Sequence, residues 1–153
     1  MLLKFSVDIE PVPQARPRFY VRRHGDKHFA GAYETAKCKS YKEIIAWHAK
    51  LKAKESGLKA PLRDPIAISI VFRKGENEKE IYHTKKPDID NLAKSVKDAL
   101  RGIIYTDDSQ IVEAHLYKQY GKPEVKIEIK SLLQKKKRLR PLCERIRGKI
   151  KGF

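Results

Sequence analysis

The amino-acid sequence predicts one α+β domain, a mixed β-sheet with helices packed on one face and the element order βαβαββ, and three observations predict it. The length of 153 residues matches a single domain at the usual ~100–200 residues. Several short runs alternate apolar and polar residues, the period of a strand with one buried face. Between them lie two longer stretches whose apolar residues recur at helical spacing. A hydrophobic fraction of 41% with only eight Gly and eight Pro excludes a disordered chain.

The first run sets Leu3, Phe5, Val7 and Ile9 against Lys4, Ser6, Asp8 and Glu10, and Pro11 and Pro13 end it. No Pro or Gly interrupts residues 34–54, where Tyr41, Ile44, Ile45, His48 and Leu51 form an apolar stripe, so a long amphipathic helix follows. His48 on that stripe reads as a packed histidine rather than a ligand. Ile66, Ile68, Ile70 and Phe72 alternate as a second strand, and residues 74–86 form a polar, charge-rich loop. Leu92, Val96, Ala99, Leu100 and Ile103 mark a second helix, with Gly102 suited to a left-handed cap. Two further strands, 111–120 and 124–130, flank Gly121-Lys122-Pro123 and are expected to pair as a hairpin. His24 and His28 lie in a basic, Gly-containing loop with no helical pattern to orient them toward a metal.

The formal charge of +16 points to a polyanionic partner. Nucleic acid fits better than a membrane surface, because no basic helix with an aromatic or leucine face is present. Half of that charge sits at the C-terminus, where residues 135–153 carry nine Lys or Arg against Glu144. This basic tail reads either as a solvated arm that contacts DNA or as a short helix built on Leu142, Ile146 and Ile150. Met1-Leu2-Leu3-Lys4-Phe5 meets a charge before an export signal could form, and no transmembrane run exists, so the expected compartment is the cytoplasm. Cys38 and Cys143 have no paired spacing and read as reduced thiols.

The chemistry gathers at the two ends of the second helix. Lys85-Lys86-Pro87-Asp88-Ile89-Asp90-Asn91 precedes it and Thr106-Asp107-Asp108-Ser109-Gln110 follows it. Asp88 and Asp90 are two residues apart, so on an extended entry to the helix their carboxylates point the same way. Magnesium takes oxygen ligands and is commonly held by a few carboxylates, with waters and substrate phosphates completing the shell. A third Asp from the later turn would fit that need. Taken singly, Asp90 also suits a helix cap and Asp107-Asp108 a polar turn. Lys94, four residues beyond Asp90, shares its helix face, where it could bind a phosphate or simply form a surface pair with Asp90.

The stretches Asp88-Ile89-Asp90-Asn91-Leu92-Ala93-Lys94, Asp98-Ala99-Leu100 and Tyr105-Thr106-Asp107-Asp108-Ser109-Gln110-Ile111 resemble the RusA family of Holliday junction resolvases. Pro11-Val12-Pro13-Gln14-Ala15-Arg16-Pro17-Arg18-Phe19 is similar to the opening of some members, and the likeness extends over roughly residues 1–130. It implies a RusA-like endonuclease domain over 1–134, with the basic tail 135–153 outside the analogy. It also implies a homodimeric, Mg²⁺-dependent endodeoxyribonuclease of DNA recombination and repair, which places paired symmetric nicks across a four-way junction. Asp88, Asp90 and Asp108 then fall on the essential acidic residues and Lys94 on the essential lysine, with Asp107 a further candidate ligand. Arg16, Arg18, Lys85 and Lys86 are candidates for phosphate contacts, as is Lys94. Such residues support metal-assisted hydrolysis of a phosphodiester, with no covalent nucleophile. The rivals are a non-catalytic basic nucleic-acid-binding protein and a nuclease for flapped or other branched DNA. Against the first stands the acidic cluster, since a pure phosphate binder gains nothing from three carboxylates beside its basic surface.

Overall fold

The computed structural model describes residues 1–14, 18–25, 27–77 and 79–132. Along them run β1 (Leu2–Val7), β2 (Arg18–His24), β3 (Lys27–Tyr33), α1 (Ala36–Glu55), β4 (Ile66–Arg73), α2 (Ile89–Leu100), a 3-10 turn (Asp108–Gln110), β5 (Ile111–Gln119) and β6 (Glu124–Ser131). The fold is α+β. Four strands form a mixed sheet in the order β1-β6-β4-β5, while β2 and β3 form a separate antiparallel ribbon. The βαβαββ order therefore holds for the main sheet and its helices. The ribbon is an addition, lying where the sequence suggests only a basic loop around His24 and His28.

Strand β4 lies inside the sheet because its apolar residues leave it no solvent edge: Ile66, Ile68, Ile70 and Phe72 are buried on one side, and Ala67, Ser69 and Val71 are half-buried on the other. The buried row meets Leu3 and Val7 of β1 and Val125, Ile127 and Ile129 of β6. Tyr41, Ile45 and Ala49 of α1 and Leu92, Val96 and Leu100 of α2 complete one core. Truncating a fully buried side chain such as Ile70 to Ala would cost about 2–5 kcal/mol.

Two expectations need correction. The strands either side of Gly121 do not pair as a hairpin: β4 lies between them, parallel to β5 and antiparallel to β6. Residues 120–123 instead pass the end of β4, where Lys74 N–H donates to the Gln119 carbonyl and Gly121 N–H to that of Gly75. The more apolar β4 takes the inside position, and the more exposed β5 takes the edge. Helix α1 is also turned from its predicted face. It buries Cys38, Tyr41, Ile45, Ala49 and Ala53, whereas Ile44 and Leu51 remain 41% exposed and His48 half-buried.

Gly102 has the left-handed conformation expected of it (φ 76), and its N–H donates to the Tyr105 carbonyl. The resulting turn is tied to the chain before β4, with Leu62 N–H bonded to Ile104 O and Thr106 N–H to Leu62 O. No helix among the described residues is long and apolar enough to cross a membrane. Arg16, Cys143 and the whole tail 135–153 lie outside the described residues.

Candidate active site

Asp88 occupies the N-cap position of α2 in extended conformation (φ −70, ψ 144), and its carbonyl accepts the first helical bond, from Leu92 N–H. Its side chain makes no capping bond, although Asp is well suited to one. Asp90 stands in the first turn, where the positive end of the helix dipole favours a carboxylate. Both are exposed, and neither is engaged by a hydrogen bond or ion pair among the described residues. A lysine from the neighbouring strand positions this entry: Lys118 Nζ of β5 donates to the carbonyls of Lys85 (2.7 Å) and Pro87 (2.8 Å). From the other side Gln14 N–H donates to Asn91 O, and the buried Ser95 hydroxyl lies 2.6 Å from Val12 O.

Beyond the helix, the 3-10 turn carries Asp107 and Asp108 into different environments. Asp107 caps the turn, its Oδ1 accepting from Ser109 N–H at 3.0 Å. That backbone donor, more than the nearby Arg101, holds its carboxyl below the usual carboxylate range. Gln110 closes the capping box. Its Oε1 accepts from the N–H groups of Thr106 and Asp107, and its Nε2 donates to the carbonyls of Leu62 and Asp64. With the cap provided by Asp107, Asp108 turns inward. Its Oδ2 lies 3.6 Å from Lys94 Nζ, and its Oδ1 is buried without a hydrogen-bond partner among the described residues.

Lys94 completes the arrangement. Its ammonium donates to Asp98 Oδ1 at 2.8 Å, and Asp98 Oδ2 lies 3.4 Å from Lys42, itself paired with Glu34 at 2.8 Å. Charges of alternating sign thus run from Asp108 through Lys94, Asp98 and Lys42 to Glu34. The hydrogen bond to Asp98, then the charges of Asp98 and Asp108, push the Lys94 pKa above the ordinary lysine range against the opposing effect of partial burial. Lys94 is therefore a fixed cation at neutral pH, not a general base. Buried Tyr105 lies beneath the site and spends its one proton on Lys97 O at 2.9 Å. Burial, with Asp108 and Asp98 adding, holds that phenol neutral by raising its pKa.

The site thus has one inward acid, one fixed cation and two acids whose side chains are unclaimed among the described residues. Among the described residues no three or more His, Cys, Asp or Glu are gathered so that they could hold a metal ion, so the structure does not bring Asp88, Asp90 and Asp108 together as one ligand cluster. Comparison with known proteins bears on the arrangement. The family model described as endodeoxyribonuclease RusA matches residues 8–130. The chain belongs to the RusA endodeoxyribonuclease family. It is also similar to a protein of Bacillus subtilis (strain 168) named Uncharacterized protein YqaN, with 36% identity over 141 residues covering 85% of this chain and 96% of that one.

In this RusA-family chain the structure joins Lys94 to Asp108 and places Asp88 and Asp90 at the start of the same helix. It pairs Lys94 with Asp98 rather than with Asp90. Lys85 and Lys86 are exposed on the loop that enters α2. Arg18 begins β2, whereas Arg16 falls outside the described residues. Sequence reasoning left four contributors without a role. Gln110 and Asp98 stood within the quoted motifs, but Lys118 and Lys42 had no signal, since a lone lysine on a strand or helix looks like solvated charge.

Proposed function

We propose that this RusA-family protein is a Mg²⁺-dependent, structure-selective endodeoxyribonuclease that resolves four-way DNA junctions by paired symmetric nicks, acting as a homodimer. The observation that carries the reading is Asp108: a half-buried carboxylate with one oxygen beside Lys94 and the other buried and without a hydrogen-bond partner among the described residues. A buried acceptor left without a donor is costly unless something binds it, and a hard cation satisfies it best. The donor chemistry suits such an ion, because Asp88, Asp90 and Asp108 supply only carboxylate oxygens and the side chains of the first two are unengaged among the described residues, although the three are not gathered into one ligand group. Since magnesium usually takes few protein ligands and draws phosphate oxygens from the substrate, a complete protein cage is not required before DNA arrives.

Bound there, Mg²⁺ would supply an activated water and neutralise charge at the scissile phosphate. The protein's own residues do the rest. Asp88 and Asp90 face the substrate from the helix start, and Lys118 holds the loop that presents them. Lys94, kept protonated by Asp98, donates to a phosphate oxygen and stabilises the charge that builds there. Lys85 and Lys86 lie exposed where they can bind the flanking backbone. A four-way junction offers two equivalent strands, which a two-fold dimer with two identical sites matches.

The test is incubation with a synthetic four-way junction, a matching linear duplex and a flap, with Mg²⁺ or EDTA. Paired, symmetric nicks on the junction alone, abolished by EDTA and made by a species that sediments as a dimer, are expected. Binding without cleavage under any divalent ion would favour the non-catalytic reading, and preferred cutting of the flap would reassign the substrate.

A further inference from the structure

The loop expected to be polar between β4 and α2 contains the adjacent residues Ile81 and Tyr82, and they are 70% and 65% exposed. Bulky apolar side chains usually find cover, and here the backbone beneath them is firmly held. Tyr82 bridges Gln119 of β5, the Ile81 carbonyl accepts from Tyr120 N–H at 2.9 Å, and His83 N–H donates to Lys118 O at 3.0 Å. The next side chain, His83, is buried with its ring 4.7 Å from that of Tyr120. Ile81 and Tyr82 therefore project from a braced segment.

That segment is mechanically joined to the candidate active site through Lys118. Its backbone carbonyl holds His83, and its ammonium holds Lys85 and Pro87, just before Asp88. Tyr82 and Asp88 are six positions apart in the chain, so the two lie no more than about 20 Å apart. Exposed Lys85 and Lys86 stand between them.

We propose that Tyr82, backed by Ile81, is a stacking wedge that reads the open face of a base pair at a DNA branch point; this rests on the nuclease reading of the adjacent acidic site. Cations and metal-binding carboxylates see phosphate, which linear and branched DNA display alike. Base faces differ: stacking seals them within a continuous duplex, while the point where helical arms part leaves them available. An aromatic ring stacks on any base, and apolar wedges enter steps that are already weakened. A second copy of the chain is a poorer occupant of this segment, because the exposed Lys85 and Lys86 beside it would meet the same cations.

The test uses the full chain, with Tyr82→Ala, Ile81→Ala combined with Tyr82→Ala, and Tyr82→Phe. Binding is measured in EDTA to a four-way junction carrying 2-aminopurine beside the branch and to a linear duplex. Tyr82→Ala is expected to weaken junction binding roughly ten- to hundredfold, the range for loss of one stacked base, with duplex affinity unchanged. The fluorescence change seen with wild type should vanish in that variant and return in Tyr82→Phe. Equal loss on junction and duplex, no loss on either, or altered sedimentation with unchanged DNA selectivity would each overturn the wedge. If wild type cuts junctions and Tyr82→Ala binds and cuts identically, the wedge alone fails. If junction preference depends on Tyr82 but no divalent ion supports cleavage, the wedge stands and the nuclease reading fails.

Discussion

Lys94 holds its ammonium 3.6 Å from the inward carboxylate of Asp108, so a charge pair ties the middle of α2 to the turn that follows the helix. If Asp108 serves the metal from that position, its neutral isostere must fail. Asp88→Asn, Asp90→Asn and Asp108→Asn are each expected to abolish Mg²⁺-dependent cleavage while junction binding in EDTA stays equal or improves. The improvement follows from removing a negative charge that faces phosphate. A wild-type cutting rate in any one of the three would remove that residue from the site.

Asp98 touches Lys94 more closely than Asp108 does, and it acts as a positioning residue. It raises the Lys94 pKa, so in Asp98→Asn that pKa should drop back toward the ordinary lysine value. Cleavage by the variant should then fall away at lower pH than cleavage by wild type. The ratio of wild-type to variant kcat would widen between about pH 8 and pH 10, approaching the ordinary lysine pKa. A constant ratio across that range would leave Asp98 a merely structural role.

Asp107 and Gln110 hold the turn that aims Asp108. Asn is as good a cap as Asp, so Asp107→Asn should retain the turn and most of the cleavage rate, whereas loss of activity matching Asp108→Asn would make Asp107 a ligand. Gln110→Ala removes four hydrogen bonds at once. We expect a cost of about 1–3 kcal/mol, since the groups are partly exposed, and a melting temperature lower by several degrees, together with lost cleavage. Thermal melting beside a nicking assay separates the variants.

The segment 135–153 brings nine cations and one anion, and counterion release makes log K fall with log salt by ~0.9 per neutralised phosphate. Its deletion should weaken binding to junction and duplex by similar factors and flatten the salt slope, leaving the cut position unchanged. Unchanged affinity with reduced thermal stability would instead assign the segment to packing through Leu142, Ile146 and Ile150.

Much of the main sheet and both helices could be read from Leu3/Val7, Ile66/Ile68/Ile70/Phe72 and Leu92/Val96, because burial on one face imposes a period that survives in sequence. The acids flanking α2 stood out for another reason, since the proposed metal chemistry would require those residue types at short, fixed spacing. Partner choice was not readable. Lys94 has an Asp four residues away in each direction, and only the folded structure shows it paired with Asp98 while it also approaches Asp108. The same limit hid the strand order: nothing local in residues 111–131 records that β4 will lie between them. In β2 and β3 Arg, His and Lys interrupt the apolar alternation, so a ribbon read as a loop.

Strand β6 occupies an unusual place for the last strand described: it lies between β1 and β4, both made long before it. Until residues 124–131 leave the ribosome, β1 has no neighbour in the sheet, and β4 has one open side. Closing a loop from Leu2 to Lys130 is entropically expensive and comes late, so folding of the sheet is governed by the end of synthesis rather than by its beginning. A chain halted after α2 would own both Asp88 and Asp90 yet lack the 3-10 turn, the Lys118 brace and the strand that joins its sheet. Abortive translation products would therefore carry two carboxylates of the proposed site without the scaffold that holds the third.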